Sequence, residues 1–446
     1  MSYDRRLLFI NFDFPPRRTS GVYRMRSLAK YLWLEGWNPT VLCVQGPVAV
    51  WSANEVQDDQ LLEGFPPEIE IVRTPYLDLR AWERLHPAHN RPFDTTSAQS
   101  RPIANAALRS SLLKRVARSC AAAIRTVLYF PDPTSGWIPH ALMAAVRLHR
   151  ARPFTAVFTS SPPRSALVVG LIFKFLFGVP WTAELMDPWY KPSGAIRRWA
   201  EQRLLRAILS HADRVVVMTE GHAVLLREEF GIDASHFEVI PNGYDEEHFR
   251  GLPQLSPQKA PRAVLTHVGT IYTGCAGRFF DAVSELIQEQ PHLEPMFHID
   301  VIGSPDELTT SFATSAQGRR IVTLHGYKPH PETLAAMAGA DYLLLFLALK
   351  QNSQLVISSK IYEYLRIGRP IVAVTYDGEV KRLIERSGAG IVLPPDDINA
   401  IKAGLRHIIV DRPVPLAKWS DYTEQFRYDR LATRLAAVID ATVIPA

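Results

Sequence analysis

The stretch SSKIYEYLRIGRPIVAV (358–374) sets Lys360 and Glu363 one turn apart at the start of what reads as a short helix followed at once by a buried strand. An ammonium at a helix start suits a diphosphate, and a carboxylate one turn in suits two vicinal hydroxyls such as those of a ribose. Ser358 or Ser359 is the expected N-cap, Gly368 the residue that ends the helix, and Pro370 the stop. A capping carboxylate would fall three residues after the cap, on Ile361 or Tyr362, so capping does not account for Glu363. An ordinary i, i+3 ion pair with Lys360, worth about 0.2–0.5 kcal/mol, stays open beside the ligand grip.

Three further stretches carry polar residues where a strand gives way to a helix. HVGTIYTGCAGR (267–278) holds Gly269, Gly274 and Gly277 ahead of a helix with Arg278 at its start. Backbone amides there could reach an anion, or the glycines could simply make the turn. FDFPPRRTSGVYRMRS (12–27) places Gly21 in the connection between a strand and a helix, where a glycine permits close approach of a ligand and equally permits a turn. In PWTAELMDPWY (180–190), Asp187 reads as a base, a hydroxyl ligand or an Asx-turn residue. A Gly-x-Gly-x-x-Gly loop and a P-loop are missing from the sequence, which disfavours a dinucleotide fingerprint and a P-loop site, and no Asp-x-Asp pair occurs, consistent with a metal-independent site.

The elements that must position these residues follow an alternating pattern of short apolar strands and helices, the mark of parallel sheets built from βαβ units. Strands are expected at 7–12, 40–44, 69–73, 156–160, 181–185 and 214–218, with helices at 23–36, 138–151 and 165–178. A second series has strands at 263–269, 297–303, 322–326, 341–348, 370–375 and 390–394, with a helix at 278–290. PNGYDEEHFRGLPQLSPQKAPRA (241–263) reads as a linker, and 422–441 as a helical tail. The expected fold class is therefore α/β: a first domain over 1–245, a second over 246–420 and a C-terminal helix over 421–446 packing back on the first. Two doubly wound domains would face a cleft, and ligands bind beyond the carboxyl ends of such strands.

Bulk properties agree with a two-domain soluble protein: 446 residues, 47% hydrophobic and 21% charged, with a formal charge of +5. That excess is too small for the length to point to nucleic acid. Cys43, Cys120 and Cys275 match no metal or disulfide spacing and fit the reducing cytosol. The apolar run LLFINF is too short for a signal peptide, and 166–181, interrupted by Lys174, is too short for a membrane span. Residues 101–131 form a basic amphipathic stretch, which reads as a membrane-surface helix or as a solvated cover over the core.

In order along the chain, FPP…SGVYRMRSLAKYLWLEGWNPTVL, PDPTSGWIPHA, TSSPPRSA, GVPWTAELMDPW, ADRVVVMTEGHA, VIPNGYDEEHF, HVGTIY, LHGYKPHPETLAAMAGADYLLL and SSKIYEYLRIGRPIVAV resemble GT-B glycosyltransferases, family 4-like, of bacterial surface-polysaccharide and lipid-linked glycan pathways. The resemblance implies two Rossmann-like domains and transfer of a sugar from a nucleoside-diphosphate sugar to a glycan, lipid-linked or small-molecule acceptor, retaining, without metal or cofactor. It implies that Glu363 holds the donor ribose and that Lys360 and Arg278 lie near the diphosphate with Gly21. Gly269 and Ser359 belong to the same donor-binding stretches, Gly326 and Tyr327 match the segment at the base, and Asp187 falls near the transferred sugar. Lys360, Arg278 and Asp187 are thus the expected catalytic group. One departure stands out: many members carry two glutamates seven residues apart, and here the first falls on Leu355. The sugar contact must then come from elsewhere, with KQNSQL (350–355) the nearest polar stretch. Two rivals share the architecture, a sugar-nucleotide epimerase and an inactive GT-B scaffold. The expected location is the cytoplasm, at the inner face of the membrane if 101–131 docks there.

Overall fold

A computed structural model describes residues 5–17, 19–46, 58–78, 129–189, 194–252, 262–348, 355–413 and 419–443. The chain divides into two compact units. One comprises Met1–Val216, Ile232–Glu238 and Leu435–Ala446, and the other Val217–Gly231 and Val239–Arg434.

The first unit is built on β1 (Arg6–Ile10), β2 (Asn38–Val44), β3 (Glu70–Thr74), β4 (Ala156–Ser161), β5 (Trp181–Leu185), β6 (Arg214–Val217) and β7 (Phe237–Val239). They lie in the order β3-β2-β1-β4-β5-β6-β7. β1 pairs in parallel with both β2 and β4, so the strand order reverses beside it. Leu7, Leu8, Phe9 and Ile10 are all fully buried, because a parallel sheet is covered on both faces. The helix Arg164–Phe177 approaches this sheet closely at Gly170, where a Cβ would lie 2.5 Å from Thr159 Cγ2 and 2.7 Å from Trp181 Nε1. Deeper still, Arg24 on the helix Ser20–Leu34 donates to Glu184 on β5 at 2.7 Å, and Ser160 Oγ donates to the other carboxylate oxygen at 2.6 Å. Neither side chain of the ion pair has any exposed surface.

The second unit holds β8 (Ala263–Val268), β9 (Phe297–Ile302), β10 (Val322–Gly326), β11 (Tyr342–Leu347), β12 (Ile371–Thr375) and β13 (Gly390–Leu393), in the order β10-β9-β8-β11-β12-β13. β8 is flanked in parallel by β9 and β11, which makes the same reversal of order. Side chains alternate across the sheet, as the strand period of two requires. On β11, Leu344 and Phe346 join the core with Phe279 and Val283, while Leu343 and Leu345 join the core with Ile361 and Tyr364.

Every described strand except the three-residue β7 lies where the sequence predicts one, and two helical expectations need correction. The C-terminal tail is not one helix: Trp419–Thr423 and a 3-10 turn Glu424–Phe426 precede the helix Tyr428–Val443. The break arises because Tyr244 N–H donates to Phe426 O at 3.0 Å and Tyr428 N–H donates to Tyr244 O at 3.0 Å, which diverts backbone groups a continuous helix would use. Gly21 is not in a loop but is the second residue of the helix Ser20–Leu34. The basic stretch 101–131 lies outside the described residues over 101–128. No helix among the described residues is long and apolar enough to cross a membrane.

Candidate functional site

At the strand-order reversal of the second unit, two stretches 90 residues apart in sequence meet. Gly269 follows β8 with φ +103°, and its N–H donates to Ile302 O at 2.7 Å while its carbonyl accepts from Ser304 N–H at 3.2 Å. Lys360 opens the helix Lys360–Ile367 and lays its chain over Gly269, where a Cβ would sit 2.3 Å from Lys360 Cε. Its ammonium donates to Thr270 O at 3.2 Å. Glycine is therefore required at 269 twice, by the left-handed backbone and by the lysine lying against it. Burial lowers the Lys360 ammonium to about 8, opposed by the nearby Cys275.

Two buried groups hold this arrangement. Tyr364 Oη accepts from Val268 N–H at 3.0 Å and reaches Leu344 O at 3.3 Å, so one phenol joins the helix to β8 and β11. His267 Nδ1 lies 2.9 Å from Leu344 O and must donate to it, because a carbonyl only accepts. Burial pushes His267 down to about 3, which keeps the ring neutral beside Lys360. Neither residue was singled out from the sequence; the tyrosine's place in YEY, one residue after Glu363, was the available signal.

Lys360 and Glu363 are not paired with each other. Glu363 Oε1 accepts from His330 Nε2 at 2.9 Å, and the His330 ring meets His248 edge-on with centroids 4.9 Å apart. Ser359 takes the N-cap position, as expected, yet its φ of −57° and ψ of −28° are helical and its hydroxyl makes no cap hydrogen bond. An N-cap side chain bonds back to the first turn only from an extended backbone. Gly326 ends β10 with φ +66° and accepts from Gly303 N–H at 2.7 Å, which ties the loops after β9 and β10 together. Tyr327 beside it is exposed.

Arg278 stands apart from this group. Its exposed guanidinium lies 3.4 Å from Asp281, within its own helix. The expectation that amides of 267–278 could cradle an anion meets a conflict: Cys275, Gly277 and Arg278 N–H already donate to Tyr272, Gly274 and Pro395 carbonyls. A tight turn spends its own donors, and the turn reading fits that part of the loop. Leu355 has its carbonyl bonded by Thr219 Oγ1 at 2.9 Å, while 350–354 lie outside the described residues.

In the first unit, Gly21 lies beside Met186, whose Cε would be 3.9 Å from a Cβ there, so the start of that helix adjoins the Met186-Asp187-Pro188 segment after β5. Asp187 keeps solvent access, yet loss of hydration among the surrounding protein raises its carboxyl above the usual aspartate range. The N-terminus of the helix Arg164–Phe177 is occupied from within: Asp132 accepts from Ser165 N–H at 2.8 Å and from Ser165 Oγ at 2.9 Å. TSSPPRSA therefore has an internal anion at its helix start. Among the described residues no three His, Cys, Asp or Glu side chains are grouped to hold a metal ion.

Two parallel doubly wound sheets, each reversing its strand order beside its first strand, define the GT-B architecture. Comparison with known proteins agrees. Residues 121–243 match the glycosyl transferase 4-like domain, and 263–411 match glycosyl transferases group 1. A D-inositol 3-phosphate glycosyltransferase from Geodermatophilus obscurus is 23% identical over 246 residues, 52% of this chain. The match spans about half, 54%, of that relative. A glycosyltransferase from Rickettsia africae is 12% identical, with all of both chains covered and a TM-score of 0.64. Sucrose-phosphate synthase from Thermosynechococcus elongatus is 14% identical over 97% of this chain and 98% of its own, with a TM-score of 0.61. Identities that low show a shared fold alone. The family models reach further, and the chain belongs to the family 4-like GT-B glycosyltransferases.

Proposed function

We propose that this protein transfers a sugar from a nucleoside-diphosphate sugar to an acceptor hydroxyl, with retention of configuration and without a metal ion. The observation that carries the reading is the meeting of Lys360 with Gly269 and Thr270 at the strand-order reversal, one turn from Glu363. Ligands of open α/β sheets bind at that crevice, and a lysine at a helix start answers the charge of a diphosphate. In the proposed reaction the acceptor oxygen bonds to the anomeric carbon as the bond from that carbon to the diphosphate breaks. The electron pair leaves with the nucleoside diphosphate, and the Lys360 ammonium offsets the charge that develops on it. Arg278, an exposed arm, assists if it swings away from Asp281. Glu363 holds the ribose hydroxyls, and Gly326 and Tyr327 flank the base. Asp187, assigned to the acceptor side by its sequence position, takes the acceptor proton. The acceptor is a glycan, lipid-linked or small molecule, with membrane contact through 101–131 part of the same proposal. The epimerase alternative has no observation in its favour over this one.

The test is donor consumption across UDP-, GDP-, TDP- and CMP-sugars by wild type, Lys360→Ala and Glu363→Ala. Each variant should lose transfer by orders of magnitude while keeping the wild-type circular dichroism spectrum. Near-normal turnover in either variant would remove its residue from the site.

A further inference from the structure

We propose that His330 is a positioning residue for Glu363, fixing the carboxylate that grips the nucleotide ribose; this rests on the donor-site reading above. His330 Nε2 lies 2.9 Å from Glu363 Oε1, and a carboxylate accepts only, so the imidazole N–H is the donor. The two side chains are 23% and 27% exposed, sheltered from full hydration yet open to a ligand. A glutamate left unpinned samples many rotamers, and a diol would have to order it on binding. One hydrogen bond to Oε1 removes much of that freedom in advance and leaves Oε2 to face the hydroxyls.

The histidine is itself rigidly mounted. It is the first residue of the helix His330–Gly339 and stands between Pro329 and Pro331, whose rings fix the backbone on either side. Its other flank meets the His248 ring edge-on at 4.9 Å. His248 belongs to the 3-10 turn Glu246–Phe249, and that turn is clamped by Arg366, which donates through Nε to Glu246 Oε2 at 2.6 Å and lies 5.1 Å over the Phe249 ring. Arg366 sits on the helix that carries Glu363, one turn further on. The contacts thus close a ring: helix to turn, turn to His248, His248 to His330, and His330 back to the same helix. A bond serving stability alone would not distinguish ligands by one ribose hydroxyl, and this one should.

The experiment is isothermal titration of UDP, GDP and ADP, each beside its 2′-deoxy counterpart, into wild type, Glu363→Ala, His330→Phe and His330→Gln. Wild type should prefer the ribonucleotide. His330→Phe should weaken binding of the ribonucleotide about 5- to 10-fold, with little effect on the 2′-deoxy form, as expected for one lost orienting hydrogen bond. His330→Gln, whose amide N–H reaches the same oxygen, should restore most of the preference. If His330→Phe keeps the wild-type ratio while Glu363→Ala abolishes it, the positioning role is overturned and the donor site stands. If Glu363→Ala also keeps the ratio, or wild type binds none of these six nucleotides nor CDP or TDP, the donor-site reading itself fails. Should the phenylalanine variant not fold, His330→Asn, too short to reach Oε1, is held to the same outcomes.

Discussion

Raising the pH from about 7 to about 9.5 should loosen nucleoside-diphosphate binding through one group, Lys360. Burial holds its ammonium near 8, well below an ordinary lysine. At that value the side chain is about nine-tenths charged at pH 7, half charged at pH 8 and about one-tenth charged at pH 9. Only the charged form attracts the diphosphate, so the dissociation constant should rise about tenfold per pH unit above 8, until the affinity of a lysine-free site is reached. A charged hydrogen bond of about 1.5–3 kcal/mol puts that floor roughly 10- to 100-fold below the neutral-pH affinity. The neighbours do not confuse the reading. His267, near 3, stays neutral throughout, and burial raises the Cys275 thiol above its ordinary value. A terminal phosphate finishes ionising near pH 6, below the window. The sign also follows from linkage: binding favours the protonated lysine, so proton uptake should accompany binding above pH 8. Titration calorimetry at pH 7, 8 and 9, in buffers of differing ionisation heat, measures both quantities. Lys360→Arg, always charged, should bind with no decline over this range, and Lys360→Met should be weak and flat. Wild-type affinity that stays level to pH 9.5, or a decline that survives in Lys360→Arg, would refute the assignment.

Other substitutions test the frame around the site. Gly170→Ala would force a methyl against Thr159 and Trp181, and should cost about 1–3 kcal/mol, seen as a lowered melting temperature. Glu184→Ala would remove the carboxylate that the fully buried Arg24 guanidinium donates to and should cost about 3–5 kcal/mol by denaturant titration, while Arg24→Met with Glu184→Leu should recover part of the loss. Gly21→Ala meets nothing closer than Met186 Cε at 3.9 Å, so the fold should accept it or gain up to about 1 kcal/mol. Nucleotide binding that survives Gly21→Ala unchanged would show that no ligand approaches that helix start closely.

The sequence by itself determined nearly all of the strands. Apolar runs bounded by Gly, Pro and charge marked the strands, because a strand buried on both faces must be apolar at consecutive positions. Gly368, in the left-handed region at φ +82°, ends its helix where the sequence placed the end. The carboxylate and the ammonium of the Lys360–Ile367 helix were legible for the same local reason: capping could not explain Glu363. What the carboxylate and ammonium touch was decided elsewhere. Local spacing made their mutual ion pair the ordinary alternative, whereas the tertiary structure gives Lys360 to Thr270, 90 residues away, and Glu363 to His330, 33 away. Strand order brings the loop after β8 against the helix after β11, and no local signal encodes which strands become neighbours. The same holds for the Glu220–Phe230 helix, drawn into the second unit by Thr219 bonding Leu355 and by Gly221 bonding Glu379, across 136 and 158 residues. Turn chemistry and periodicity act within a few residues, and the site is made of contacts that only the packed sheets bring within reach.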